Sequence, residues 1–321
     1  MRRGLGSAAV LAAVVVALGV AALYMKRSDV YLLTLAMVYL MATLGLNLTV
    51  GYAGQMSLGQ AAFFGIGAYV AAIALKAGLP FFVVLPMAAI ACFVVGLALG
   101  FPALRVQHHY LAFATLGFNV LVYLVMRNEE KVTGGTYGIS AIPRPTVLGV
   151  PFEGHVAYFY FTLAGLLALG GALWWLLRSP WGRAFAALRD NPIRAESLGI
   201  NITAYTLLAF AIGAACAGFG GVYYASLVEF IEPGPFHFST SLMMLLAVIV
   251  GGSGRFFGPV LGTIIVILLP EVLRASSAES LKFMQKWYLV FFGLAVVALM
   301  VWLPGGILSI ADRFRRPGAP R

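Results

Sequence analysis

Charged side chains divide this sequence into long apolar runs. No Asp, Glu, Lys or Arg occurs within residues 4–25, 30–75, 77–104, 106–126, 154–177, 197–228, 233–254, 256–270 or 287–311. A helix needs about 20 mostly apolar residues to cross hydrocarbon, and the run 30–75 is long enough for two crossings. The pattern predicts ten spans, at about 8–25, 30–49, 59–76, 80–101, 109–126, 156–177, 203–227, 239–252, 257–273 and 286–303. The eighth and ninth are short and fit half-helices or tilted pieces as well, which would leave eight or nine full crossings. The first follows Met1-Arg2-Arg3, but its apolar part is long for a signal peptide and nine spans come after it. An uncleaved first helix is expected.

Composition supports this reading. Of 321 residues, 62% are hydrophobic and only 10% charged, where a soluble domain carries about 25%. A folded surface cannot hide that much apolar area from water. A soluble enzyme, a disordered chain and a disulfide-stapled module are excluded. The two cysteines, Cys92 and Cys216, sit deep in apolar stretches and read as small buried hydrophobes. The net charge of +10 lies between apolar runs, with no basic stripe among aromatics, so it marks membrane loops and not nucleic acid.

Positive charge in short loops sets orientation. With the N-terminus inside, inside segments hold 12 Lys and Arg and outside segments nine, and the clusters at 178–194 and 313–321 both fall inside. The fold class expected is therefore an all-α, polytopic transmembrane helical bundle with both termini cytoplasmic, a single domain over 1–321. Residues 127–155 form an external, turn-rich loop, and residues 178–202 a partly helical cytoplasmic connection.

Several chemistries are missing. No Gly-Lys dipeptide occurs, so no P-loop can cradle a nucleotide. There is no HExxH and no Cys/His set at metal spacing; His108-His109 reads as an interfacial pair, while His155 and His237 are isolated. Residues 30–75 and 197–228 hold no ionisable carboxylate, which disfavours proton or sodium coupling.

Three stretches interrupt the apolar pattern. Around Asn47, Gly51, Gly54, Gln55, Ser57, Gly59 and Gln60, glycines and neutral polar groups break the run 30–75. Backbone leaves the helical form at membrane depth only where protein or a wet cavity pairs its polar groups. A broken segment lining a solute path and an ordinary Gly-rich loop leading into small-residue helix packing fit equally well. In the cytoplasmic connection, residues 183–190 favour helix. Asp190 or Asn191 is placed to cap a second short helix that begins at Pro192 and is ended by Gly199. Leu188, Ile193, Leu198 and Ile200 are apolar anchors among charges, suited to docking in a partner's groove or to lying on the membrane. The third stretch, Gly251-Gly252-Ser253-Gly254-Arg255, is either a tight turn between antiparallel helices or a gate.

Together, residues 45–72 (with GYAGQMSLGQAAFFGIGAY), 183–200 and 245–269 resemble the permease subunits of branched-chain amino acid ATP-binding-cassette importers, of the longer, LivM type. The resemblance spans roughly residues 30–303. It implies a subunit of the bacterial inner membrane that moves hydrophobic amino acids inward by alternating access and is not itself an enzyme. It implies a second permease, two cytoplasmic ATPases that hold ATP and Mg, and a periplasmic or lipid-anchored binding protein. It makes 183–199 the coupling segment, with Arg183, Leu188, Arg189, Asp190, Asn191, Ile193, Arg194, Glu196 and Gly199 as candidate ATPase-facing residues. The segment keeps AESLG at 195–199 but lacks the Ile-x-Leu-Pro ending of other importers. Thr133-Gly134-Gly135-Thr136-Tyr137-Gly138 matches a further family element. Neutral contacts from Asn47, Gln55, Ser57 and Gln60 would line the solute path, and Gly251, Gly252, Gly254 and Arg255 the gate turn. The competing readings are a urea or short-amide importer permease, a secondary transporter and a structural membrane subunit.

Overall fold

The computed structural model describes residues 19, 21–103, 108–147, 150–152, 154–268, 293–294 and 306–309. Most of the expected first span, nearly all of the tenth, residues 269–273 of the ninth, and the clusters at 2–3 and 313–321 lie outside these residues. Among the described residues the structure is all-α apart from one hairpin of two-residue strands, β1 (Thr146–Val147) with β2 (Val150–Pro151).

Seven helices follow expected spans closely, and an eighth, short helix begins where the ninth span was expected. They are α1 (Arg27–Leu46), α2 (Gln60–Lys76), α3 (Phe81–Ala103), α4 (His108–Asn128), α6 (His155–Arg178), α9 (Ile202–Val228), α10 (Phe238–Gly251) and α11 (Gly258–Thr263). A π-helical stretch, Asn47–Tyr52, continues α1, and another, Ile264–Leu268, continues α11. Short helices α5 (Glu130–Thr133), α7 (Pro180–Asp190) and α8 (Pro192–Ser197) occupy the two long connections. Among the described residues, five helices are long and apolar enough to cross a membrane: 27–52, 81–102, 111–128, 155–178 and 202–228. Three shorter apolar helices, 60–76, 238–251 and 258–267, accompany them.

Helix α9 is the centre of the bundle and packs against α1, α2 and α3. In lipid, helices gain little from burying leucine, so close approach over small residues does the work. The α9 sequence supplies Gly213, Ala214, Ala217, Gly218, Gly220 and Gly221 on its buried surface. A Cβ on Gly67 of α2 would overlap the Gly218 backbone, and one on Gly218 would press on Cys92 of α3. Cys92 and Cys216 are both buried and unbridged, as their positions predict. Aromatic side chains fill the space where α1, α2 and α9 diverge: Tyr39, Phe64, Tyr69, Tyr224 and Phe236 form one contiguous cluster.

The loops gather at two ends. At one, Ile139 pairs with Ile231 as an isolated β-bridge, Arg144 forms an ion pair with Glu229, and Lys76 Nζ donates to the Ser140 carbonyl at 3.1 Å. The 133–138 element belongs to this end. Its glycines 134, 135 and 138 all have left-handed backbone, and a Cβ on Gly138 would overlap the Ile231 carbonyl. The element therefore seats the loop after α4 against the chain leaving α9. At the other end, α7 meets the π stretch after α1 and the turn after α10.

Replacing Gly67 with Leu should destabilise the fold by about 1–3 kcal/mol or more, because the overlap is with backbone that cannot rotate away. Gly171→Ala is the matched control, since nothing lies within 4 Å of its added Cβ. Thermal unfolding of the detergent-purified chains should separate the two, with only Gly67→Leu lowering the midpoint.

Candidate functional site

The stretch from Asn47 to Gln60 leaves regular helix in two steps. The π stretch first loosens the end of α1: Ala53 N–H bonds the Leu48 carbonyl at 3.0 Å and Gln55 N–H the Thr49 carbonyl at 3.0 Å. Gly54 then turns the chain with φ +72°. Residues 53–59 are non-helical. They run back into the bundle, because α2 starts with Gln60 beside Ala42, some ten residues before the end of the π stretch. At 1.5 Å per residue this re-entry is roughly 15 Å deep, within reach of seven extended residues.

Every such excursion must pair its backbone. Leu58 N–H donates to Thr115 Oγ1 of α4 at 2.9 Å, and Gly59 N–H to Ser57 Oγ at 3.4 Å. Ala61 N–H, in the first turn of α2, donates to Ser241 Oγ of α10 at 2.8 Å. Ser241 Oγ in turn donates to Asn119 Oδ1 at 2.7 Å, and Asn119 Nδ2 to the Phe236 carbonyl at 3.2 Å. That last contact shows a second re-entry. The chain after α9 dips from Ile231 to Phe236, which packs beside Gly65 of α2, and α10 then starts inside the bundle. The starts of α2 and α10 thus meet at Ala61 and Ser241. This is why these two apolar helices are short.

The four residues expected along the path are all buried, at 2–4% exposure. They fall into two classes. Asn47 and Gln60 spend their polar atoms on helix packing. Asn47 Nδ2 donates to the Arg255 carbonyl at 3.0 Å and its Oδ1 accepts from Gly254 N–H at 2.9 Å. Gln60 Nε2 donates to the Ala42 carbonyl at 2.7 Å and the Gly213 carbonyl at 3.2 Å. Gln55 and Ser57 lie on the re-entrant segment, and Gln55 Oε1 has no hydrogen-bond partner among the described residues.

The turn residues Gly251, Gly252, Gly254 and Arg255 reverse the chain between α10 and α11. A Cβ on Gly251 would overlap the Gly258 carbonyl, and one on Gly262 the Ala247 carbonyl, so the helices touch backbone to backbone as an antiparallel pair. Gly252 and Gly254 have φ +115° and +76°. Asn47 straps this turn to the π stretch.

The connection between α6 and α9 folds as two capped helices. Ser179 caps α7, accepting from Trp181 N–H at 3.1 Å, and Pro180 takes the first helical position. Of the two expected caps for α8, Asn191 performs the role, accepting from Arg194 N–H at 3.0 Å, with Pro192 following. Gly199, at φ +84°, ends α8 in a Schellman motif: Gly199 N–H bonds the Glu196 carbonyl at 2.8 Å and Ile200 N–H the Ala195 carbonyl at 3.1 Å. Arg183, Asp190, Ile193, Arg194, Glu196 and Leu198 are exposed. Leu188 corrects the expectation of an exposed anchor. It is 4% exposed, because α7 turns Ala184, Phe185 and Leu188 inward against the bundle and presents Trp181 and Arg183 outward.

Residues 29–300 match the family described as branched-chain amino acid transport system / permease component. The chain belongs to this family. The permease is 35% identical over 309 residues to the high-affinity branched-chain amino acid transport system permease protein LivM of Salmonella typhimurium, covering 89% of this chain and 71% of that protein. A probable branched-chain amino acid transport permease protein LivM of Methanocaldococcus jannaschii is 26% identical over 230 residues, 69% of this chain and 66% of that one. The autoinducer 2 import system permease protein LsrC of Salmonella paratyphi B is 27% identical over 203 residues, 59% and 56% of the two chains. No solved structure matches the permease.

Sequence reasoning on the permease passed over Thr115, Asn119 and Ser241. Their signal was present: each is a neutral polar residue inside an otherwise apolar span. Asn47→Ala should destabilise the permease by about 1–3 kcal/mol, since it strands a part-buried N–H and a carbonyl of the α10–α11 turn and unties that turn from the π stretch. Ser57→Ala removes one long bond and should stay within about 0.5 kcal/mol of the parent. Denaturation in mild detergent, monitored by tryptophan fluorescence, is the measurement.

Proposed function

We propose that this chain is the permease subunit of an ATP-binding-cassette importer that carries branched-chain, hydrophobic amino acids into the cytoplasm. The supporting observation is the similarity to LivM across nearly the whole chain. The bundle sits in the bacterial inner membrane as one domain over 1–321 with about ten spans and both termini cytoplasmic. The arrangement of loops supports the alternation of ends in that topology, and the positive charge of residues 178–194 supports placing their end inside. Residues 50–58, 178–202 and 253–256, all cytoplasmic in this topology, meet at one end, while 127–155 and 229–232, both external, meet at the other.

ATP and Mg are held by two cytoplasmic ATPase subunits, so this chain is not an enzyme. A second permease completes the path, and a periplasmic or lipid-anchored binding protein delivers the solute. The coupling segment 178–202 offers Arg183, Asp190, Ile193, Arg194, Glu196 and Leu198 to the ATPase, with Asn191 and Gly199 fixing its two-helix shape. Trp175 of α6 and Phe82, Ile90 and Phe113 face outward, toward lipid or the second permease. The re-entrant segment carries the solute contacts, with the buried Gln55 and Ser57 supplying the neutral groups as the path opens and Asn47 and Gln60 holding the segment in place. The turn 251–255 acts as the gate that moves with it.

The test is uptake by the complex purified with its co-purifying partners and placed in vesicles with ATP inside. Labelled leucine should enter only with ATP, and unlabelled isoleucine and valine should compete. Gln55→Ala should lower uptake at least several-fold without releasing the ATPases. Competition by urea, or by autoinducer 2 in place of amino acids, would assign another solute. Uptake that an uncoupler abolishes without ATP would overturn the importer reading.

A further inference from the structure

One arginine of the coupling segment, though exposed overall, reaches back to the backbone of another element. Arg189 stands in the last turn of α7, next to the exposed Asp190. Its stem remains accessible, but its guanidinium Nη1 leaves the helix and donates to the carbonyl of Gly51 in the π stretch. The carbonyls at a helix end have no partner within the helix, and a planar cation fills such a vacancy with a charge-assisted bond. Arg178 stacks on Trp174 at 4.1 Å, and Arg183 and Arg194 are exposed.

The surroundings are shaped for this side chain. A Cβ on Gly254 would overlap the Arg189 guanidinium, and one on Gly54 would press on the Arg189 Cα at 3.3 Å. Both glycines hold left-handed backbone, φ +76° and +72°. A Cβ on Gly51 would overlap the Gly254 amide and Asn47 Oδ1. Three segments therefore converge on Arg189: the π stretch, the adjoining start of the re-entrant segment and, some 200 positions later, the α10–α11 turn. Asn47 ties the first to the third through Gly254 N–H and the Arg255 carbonyl. Gly51 and Gly254 thus lie against each other and against the same arginine.

We propose that Arg189 is a positioning residue that passes movement of the coupling segment to the re-entrant segment and the gate turn, through the Gly51 carbonyl and the Gly254 contact. It acts inside the chain and not as an ATPase contact. The inference rests on reading 178–202 as the ATPase-facing segment.

The measurement is the ratio of leucine taken up to ATP hydrolysed, both read in the same vesicles holding the full complex. Arg189→Ala should lower that ratio about tenfold, the scale of losing one charge-assisted bond from a two-state element. Arg189→Lys keeps the charge but has no planar fork, and should recover part of the ratio. Both variants should still co-purify with the ATPases. A parental ratio in both would overturn the inference, as would loss of the ATPases from either, which would make Arg189 a docking contact. If Arg189→Ala does not assemble as a folded chain, the ratio of Arg189→Lys decides by the same criterion. A parent complex with no ATP-dependent leucine uptake would remove the underlying functional reading itself.

Discussion

Inside an apolar bundle no water is available to pair a stray amide or carbonyl, and this single constraint organises the structure. Regular helix satisfies it at no cost in side chains, which is why the long uncharged runs are helical. Where the chain leaves helix at depth, specific side chains must complete the pairing. Thr115, Ser241, Asn119 and Gln60 do so around the segment 53–59 and the chain entering α10. Polar side chains of four elements therefore meet at the two re-entrant segments, and the helices that begin there are short.

The second organising factor is close backbone contact. Gly45, Gly67, Gly213, Gly218 and Gly221 let α1, α2 and α9 approach until only hydrogen atoms separate them. Contacts of this kind are stiff along the helix yet carry few directional bonds. The re-entrant segment, the turn 252–255 and the end of α7 are held instead by single polar contacts through Asn47 and Arg189. A rigid trio of helices beside three segments joined by discrete bonds suits alternating access, because packed cores resist graded deformation whereas polar straps have two arrangements, made and broken.

Much of the fold could be read from the chain alone. Span limits at 80–101, 156–177 and 203–227 agree with α3, α6 and α9 to within a few residues, since a charge at each end fixes where hydrocarbon stops. The short helix from Asn191 to Gly199 followed from cap, proline and glycine signals that act within one turn, while the Ser179 cap of α7 emerged only in the structure. Leu188 was misplaced for the converse reason. An amphipathic stretch shows that one face is apolar, but not whether the bundle or a partner covers it.

The sequence by itself determined the class of the protein, the number and order of apolar segments, and the three places where the helical pattern fails. These depend on local properties: hydropathy over about 20 residues, turn chemistry and missing charge. Only the tertiary structure decided how those failures combine. That the π stretch, the re-entrant segment and the α10–α11 turn share Asn47 and Arg189, and that α2 and α10 begin face to face at Ala61 and Ser241, depends on contacts between residues up to some 200 positions apart. No local pattern encodes such pairings, because they arise only when the glycine-lined helices have packed and left those backbone groups with no other partner.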